Sequence, residues 1–445
     1  MEINKNTSLF GLSWPIFCQM LLAMGIGYVD QLMLSRYSES APGAVGNACQ
    51  ILGFLTLAFT IISSASGVII SQYLGAGLKD KMSRIYTLSV WFNLVISVII
   101  SLIVFIGGKY ILTLMKVPAE LLPEASGYLK ILGGFVFVEA LFDAFAQIFR
   151  SNGRTQIGMV VSLLINVLNI AGNYCFLYGP LSFLNLGVKG VAISSVFSKI
   201  IALIVVIFYF RKHIEGTVSI KYIRPFPKND FKKLIKLGVP TAGENISYNV
   251  SQLVILAIIN SMGTVAINTK IFANILCGFT YLYSVSVAVG TQIIVGHEVG
   301  AGDYDDAYKR VIKTLVPAIF VSQCMAWINY FASGFTYGLF SKNADVIGLG
   351  HKIMFIAIFL ELGRTTNLVV INSMRASGDV KFPTMLGIIS MWGISVAFAF
   401  IFGKVLGMGL VGVWIAMALD EIVRGVVVII RWIRGGWRGK SVVMD

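Results

Sequence analysis

The chain has 445 residues, of which 57% are hydrophobic and 13% charged, with a mean hydropathy of +0.82. Soluble domains carry about 25% charged residues, so this composition excludes a soluble globular protein. The net charge of +14 needs no nucleic-acid partner, because a lipid-embedded chain meets anionic headgroups.

The apolar pattern predicts twelve transmembrane helices at 8–34, 43–75, 85–114, 124–150, 155–179, 187–210, 233–260, 264–300, 309–340, 345–374, 382–404 and 408–431. Runs free of Asp, Glu, Lys and Arg, such as Ile85–Gly108, Thr155–Val188 and Phe382–Gly403, suffice for the ~20 residues that cross hydrocarbon. A β-barrel is excluded, since its strands alternate apolar and polar over about 10 residues. The first span is too long for a signal-peptide core and lacks a small-residue cleavage site, so it is expected to be retained.

The second half of the chain repeats the first at an offset of 225 residues. Pro15 returns as Pro240, Leu74-Gly-Ala-Gly77 as Val299-Gly-Ala-Gly302, and Arg150-Ser-Asn-Gly153 as Arg375-Ala-Ser-Gly378. By Gly187 and Gly409 the offset is 222, which predicts a three-residue deletion between the fifth and sixth spans of the second copy. Six spans per copy is an even number, so both copies enter from one side, related by a pseudo-two-fold axis along the membrane normal. The expected division is an N-terminal six-helix lobe (1–211), an interlobe linker (212–232), a C-terminal six-helix lobe (233–432) and a basic tail (433–445). Even-numbered loops and the termini hold 24 Lys and Arg against 9 in the odd loops, which predicts a multi-pass cell-membrane protein with both termini cytoplasmic.

Carboxylates at membrane depth are functional candidates because each costs at least ~2.5–3.5 kcal/mol to insert. They are Asp30, Glu139, Asp143, Glu244, Glu361, Asp420 and Glu421. Asp30 lies 15 residues after Pro15, which should loosen its helix. Glu139 and Asp143 share a helix face at i and i+4, and the repeat mate of Glu139 is Arg364. Glu139 and Arg364, an acid in one copy and a base in the other, can form a structural ion pair, or each can line its own half of a cavity. Glu244, one turn after Pro240, falls roughly 16 Å into its helix, near the midplane, and its repeat mate is the neutral Gln19. Glu361 with Arg364, and Asp420 and Glu421 with Arg424, have charge partners close by in sequence. Asn166, Asn169 and Asn173 put three carboxamides on one face, which can glue helices or hold an ion or ligand.

The five cysteines stand singly in apolar stretches, with no metal-ligand spacing. The histidines lie at span ends, and Leu74-Gly-Ala-Gly77 follows no strand, so it ends a helix. No positioned nucleophile and base, and no metal motif, suggests an enzyme.

With those residues in view, the chain resembles the multidrug and toxic compound extrusion (MATE) transporters over nearly its whole length. The motifs are Pro15 with Val29-Asp30, the two Gly-Ala-Gly turns, Arg150-x-x-Gly153, Asn169-x-x-x-Asn173-Tyr174 with Gly179, Gly187-Val-x-Gly-Val-Ala192, Gly238-Val-Pro240 and Arg375-Ala-Ser-Gly-Asp379. The resemblance implies an all-α, twelve-helix efflux antiporter of two lobes forming a V. It would export organic cations or amphiphilic drugs in exchange for Na⁺ or H⁺, as a monomer without cofactor. A first-lobe coupling-ion site carries over to Asp30, Asn169, Asn173 and Ser195. Some members have an acid where this chain has Asn173, and another branch has one where this chain has Arg364. Glu139, Asp143, Asn166 and Glu244 are the candidates for a substrate cavity in the cleft between lobes, with Pro15 and Pro240 as hinges. The alternative is a flippase for a lipid-linked precursor, which would want a cationic cluster lining the cavity; Lys199 and Arg364 are the cations assigned to the membrane interior.

Overall fold

Apolar runs fold as helices in lipid because every backbone N–H must find its acceptor within the segment. The computed structural model describes residues 7–443, and its described residues contain helices and turns but no strand. The first six spans are α1 (Leu9–Tyr37), α2 (Ala41–Gly75), α3 (Lys79–Leu114), α4 (Leu122–Gly134) with α5 (Val136–Ser151), α6 (Thr155–Leu177) and α7 (Val188–His213). The next six are α8 (Lys228–Asn260), α9 (Thr264–Gly300), α10 (Tyr304–Phe340), α11 (Ala344–Ala376), α12 (Lys381–Ser390) with α13 (Ala397–Phe400), and α14 (Gly409–Ile433).

The architecture is a twelve-helix, two-lobe membrane fold. Nine described helices are long and apolar enough to cross a membrane alone, and α4 with α5 makes a tenth span. α8 and α14 complete the twelve. α8 is less apolar because it begins with charged residues, whereas α14 is as apolar as the other spans but carries Asp420, Glu421 and Arg424.

Two spans depart from the expected unbroken rods. The fourth bends by 45° between α4 and α5. Gly133 and Gly134 precede the break, and a Cβ at Gly133 would run into Val104 of α3, so the bend lets the backbone lie against its neighbour. The eleventh widens into π-helical turns at Met391–Val396 and Ile401–Val405. It reaches α14 through residues 406–408, whereas α6 reaches α7 through 178–187, so the shortening of the second copy falls in this connection.

The chain divides into two compact units. One is Trp14–Gly238; the other runs from Val239 and includes the start of α1 through Ser13. The first is built on a core containing Leu34, Ala44, Ala48, Leu129, Val191 and Ala192. The second has cores around Ile255, Ala273, Ile353 and Trp414, and around Val295, Val311, Met374 and Trp432. The duplication is visible in the turns: Gly77 and Gly302 have φ of +70° and +83°, and Gly153 and Gly378 have +74° and +93°. Side chains are strained in that region, which accounts for glycine at all four helix ends.

The segment between the copies is shorter than its composition suggests, because α7 runs on to His213 and α8 starts at Lys228, directly after Pro227. Its backbone is tied to the first unit by Thr217 and Ser219 N–H groups donating to Ser83 and Thr87. The basic tail folds back on its own unit: Trp437 is buried, stacked on Trp432 at 4.1 Å, and Arg438 pairs with Asp305 at 2.7 Å.

Candidate functional site

Small residues let α6 and α7 approach closely. A Cβ at Gly172 would overlap the Ser194 side chain, and one at Gly190 would sit 2.7 Å from the Phe176 Cβ. Ser194 Oγ donates to the Asn169 carbonyl at 2.9 Å, fixing the register of the pair. The carboxamide face of α6 is thereby turned onto α7 and α1.

The four residues expected to form a coupling-ion site are joined in one line of hydrogen bonds. The Asn173 side-chain amide donates to Asp30 Oδ1 at 2.6 Å and to Asn169 Oδ1 at 3.1 Å. Asn169 donates in turn to Ser195 Oγ at 2.8 Å, and Ser195 donates to the Val191 carbonyl at 3.0 Å. Asn169, Asn173 and Ser195 are buried and Asp30 is half-buried. Asn173 Oδ1 is itself buried and accepts no hydrogen bond. The line ends in one carboxylate with an unengaged carboxamide oxygen beside it. Oxygens of this kind suit a hard cation or a proton. No group of three or more His, Cys, Asp or Glu side chains able to hold a metal occurs among the described residues, so any metal-ion ligand set here would rest on Asp30 and neutral oxygens.

The cavity candidates are less uniform. Glu139 on α5 is paired with Lys199 of α7 at 3.0 Å. Asp143, one turn on, is half-buried and makes no hydrogen bond or ion pair with the described residues. Lys199 acts through space on both Asp143 and Asp30. The Asn166 amide donates to the Ser162 carbonyl of its own helix at 2.8 Å and does not join the Asp30 line. Lys199 is visible in the sequence as a charge within a span, but no local spacing ties it to Glu139, 60 residues earlier.

Glu244 is not a free carboxylate. Its Oε2 accepts from Arg375 Nη2 at 2.6 Å and from Thr384 Oγ1 at 3.2 Å. Those partners lie in the last turn of α11 and the first turn of α12. Because α8 begins at Lys228, Glu244 stands 16 residues into its helix, about 24 Å along the axis, rather than the roughly 16 Å that a start at 233 gives. Pro15 and Pro240 lie inside α1 and α8, both of which continue through them.

Comparison with known proteins gives a consistent result. The MatE family model matches residues 15–175 and 240–401, one stretch in each copy. The chain is similar to YisQ of Bacillus subtilis, described as an uncharacterized transporter, with 38% identity over 98% of this chain and 96% of that one. It is 24% identical, over 99% of this chain and 95% of the relative, to NorM of Thermotoga maritima, described as a probable multidrug resistance protein. A crystal structure of a MATE protein in the bent conformation superposes with a TM-score of 0.88 at 17% identity, covering 96% of this chain and 94% of that one, a likeness of fold.

Proposed function

Because the chain belongs to the MATE family of transporters, we propose that it is a secondary active antiporter, exporting organic cations or amphiphilic drugs in exchange for Na⁺ or H⁺ by alternating access. Members of this family are transporters and not enzymes, and the multidrug relatives support drug efflux as the activity.

The observation that carries the coupling is the line from Asp30 through Asn173 and Asn169 to Ser195. A carboxylate among carboxamides is stabilised by a bound cation or by a proton, and only one of them can hold it at a time. Whichever binds favours the conformation that offers it the better site. Asp143 feels the charges of Arg150 and Lys199 but makes no ion pair with either, so it is the first-lobe carboxylate that an organic cation could reach without breaking a pair. Glu139 and Glu244 must first leave Lys199 and Arg375. The excess of Lys and Arg in even loops supports a plasma-membrane location with cytoplasmic termini.

A flippase for a lipid-linked precursor is the weaker reading. It needs free cationic groups for a headgroup, and Lys199 and Arg364 are each bound to carboxylates. The test is flux of a cationic dye in proteoliposomes under an imposed Na⁺ or pH gradient. Transport driven by one gradient is expected. A protein indifferent to both gradients is not an antiporter of this kind.

A further inference from the structure

In the second unit, α11 and α14 touch backbone to backbone. A Cβ at Gly363 would stand 2.5 Å from the Ile422 nitrogen, and one at Gly425 would stand 3.2 Å from the Gly363 carbonyl oxygen. This contact merges two charged groups that lie far apart in the chain. Arg364 Nη1 donates to Glu361 Oε1 at 2.6 Å, and Arg364 Nε stands 3.9 Å from Glu421 Oε1. Arg424 Nη2 pairs with Asp420 Oδ2 at 2.8 Å and Glu421 Oε1 at 3.2 Å. Asp420 Oδ1 accepts from Ser390, and Glu421 Oε2 from Asn367 at 2.9 Å.

The cluster therefore holds three carboxylates and two guanidiniums, a surplus of one negative charge in the interior. Five of the six carboxylate oxygens have a donor or a cation. The sixth, Glu361 Oε2, is buried without a partner on a residue 1% exposed. An ionised oxygen left in that state is the costliest arrangement for a carboxylate. Cys277 and Tyr281 of α9 and Tyr248 of α8 also border the cluster, and all three are neutral in their ordinary forms. Gln323 of α10 is neutral and donates its side-chain amide to the Ile358 carbonyl. A metal ion would face Arg364 and would find every other carboxylate oxygen already engaged.

We propose that Glu361 is a proton-binding site of the second lobe, holding a proton on Oε2 in this conformation and exchanging it during transport. The proton removes the surplus charge, needs no further ligands and leaves the bond from Arg364 to Oε1 intact. Asp30 in the first unit and Glu361 in the second then each carry one exchangeable charge. This part of the inference rests on the antiport reading.

The first test is independent of transport. Infrared difference spectra of the full-length protein in lipid, between neutral and strongly alkaline pH, should show a protonated-carboxyl C=O band. The band should persist in an Asp30→Asn, Asp143→Asn background and vanish when Glu361→Gln is added. The carboxamide introduced by Glu361→Gln keeps an oxygen for Arg364 and places NH₂ where the protonated oxygen stood, so folding should hold. If it does not, the band in the background variant still decides. Absence of the band there overturns the proposal. The second test counts protons moved per substrate in proteoliposomes, where Glu361→Gln should remove one. An unchanged count overturns the exchange. Loss of all coupling in wild type would refute antiport while leaving the infrared result standing.

Discussion

Replacing Asp30 by Asn removes the one formal charge of the first-lobe line while keeping its shape. The carboxamide oxygen can still accept from Asn173, so the bond to Asn169 and on to Ser195 should survive. What is lost is the attraction for a cation. A unit pair at 4 Å is worth about 4 kcal/mol at an effective dielectric of 20. At about 1.4 kcal/mol per decade this is a factor of roughly a thousand in affinity. Stripping water from the ion returns part of that energy, so the expected loss lies between about tenfold and a thousandfold. The assay is efflux of a cationic dye from proteoliposomes with Na⁺ and pH gradients imposed in turn, alongside thermal unfolding in detergent to confirm folding. Gradient-driven efflux should vanish at near-wild-type stability. Wild-type coupling in the variant would refute Asp30 as the coupling carboxylate.

Three further substitutions probe separate pieces of the structure. Glu244→Gln leaves Arg375 with a neutral partner, and breaking a buried pair costs about 3–5 kcal/mol; a retained amide acceptor should hold the loss below that, visible as a lower unfolding temperature partly restored by adding Arg375→Gln. Unchanged stability with a defect confined to cationic substrates would instead make Glu244 a substrate counter-ion. Gly363→Ala should cost about 1–3 kcal/mol by overpacking, because its Cβ meets Ile422 backbone that cannot move aside. Gly348→Ala in the same helix, with nothing within 4 Å, should not lower the unfolding temperature, and an equal loss at both sites would contradict the close contact. Lys199→Gln should free Glu139 and tighten binding of a permanently cationic substrate by about tenfold, or 1.4 kcal/mol, in equilibrium titration. Equal tightening for a neutral substrate would show that charge is not the cause.

Much of this protein is legible in its sequence because the signals are local. Hydrocarbon thickness fixes how many apolar residues make a span, so the helices fall near the predicted positions, and charges enter α8 and α14 without undoing them. The repeat identifies glycines that end corresponding helices, because left-handed backbone admits little else. Asn169 and Asn173 are one helical turn apart and are joined by a hydrogen bond, while their links to Asp30 and Ser195 follow in the sequence only from resemblance and require three helices to meet. The remaining charge pairs are settled in space. Glu244 finds Arg375 131 residues away, Glu139 finds Lys199, and the groups around Arg364 and Arg424 become one cluster because Gly363 lets two backbones touch. Helical periodicity tells which residues share a face of one helix. Which face meets which depends on side-chain volume at the crossing, and that is decided when the helices pack together.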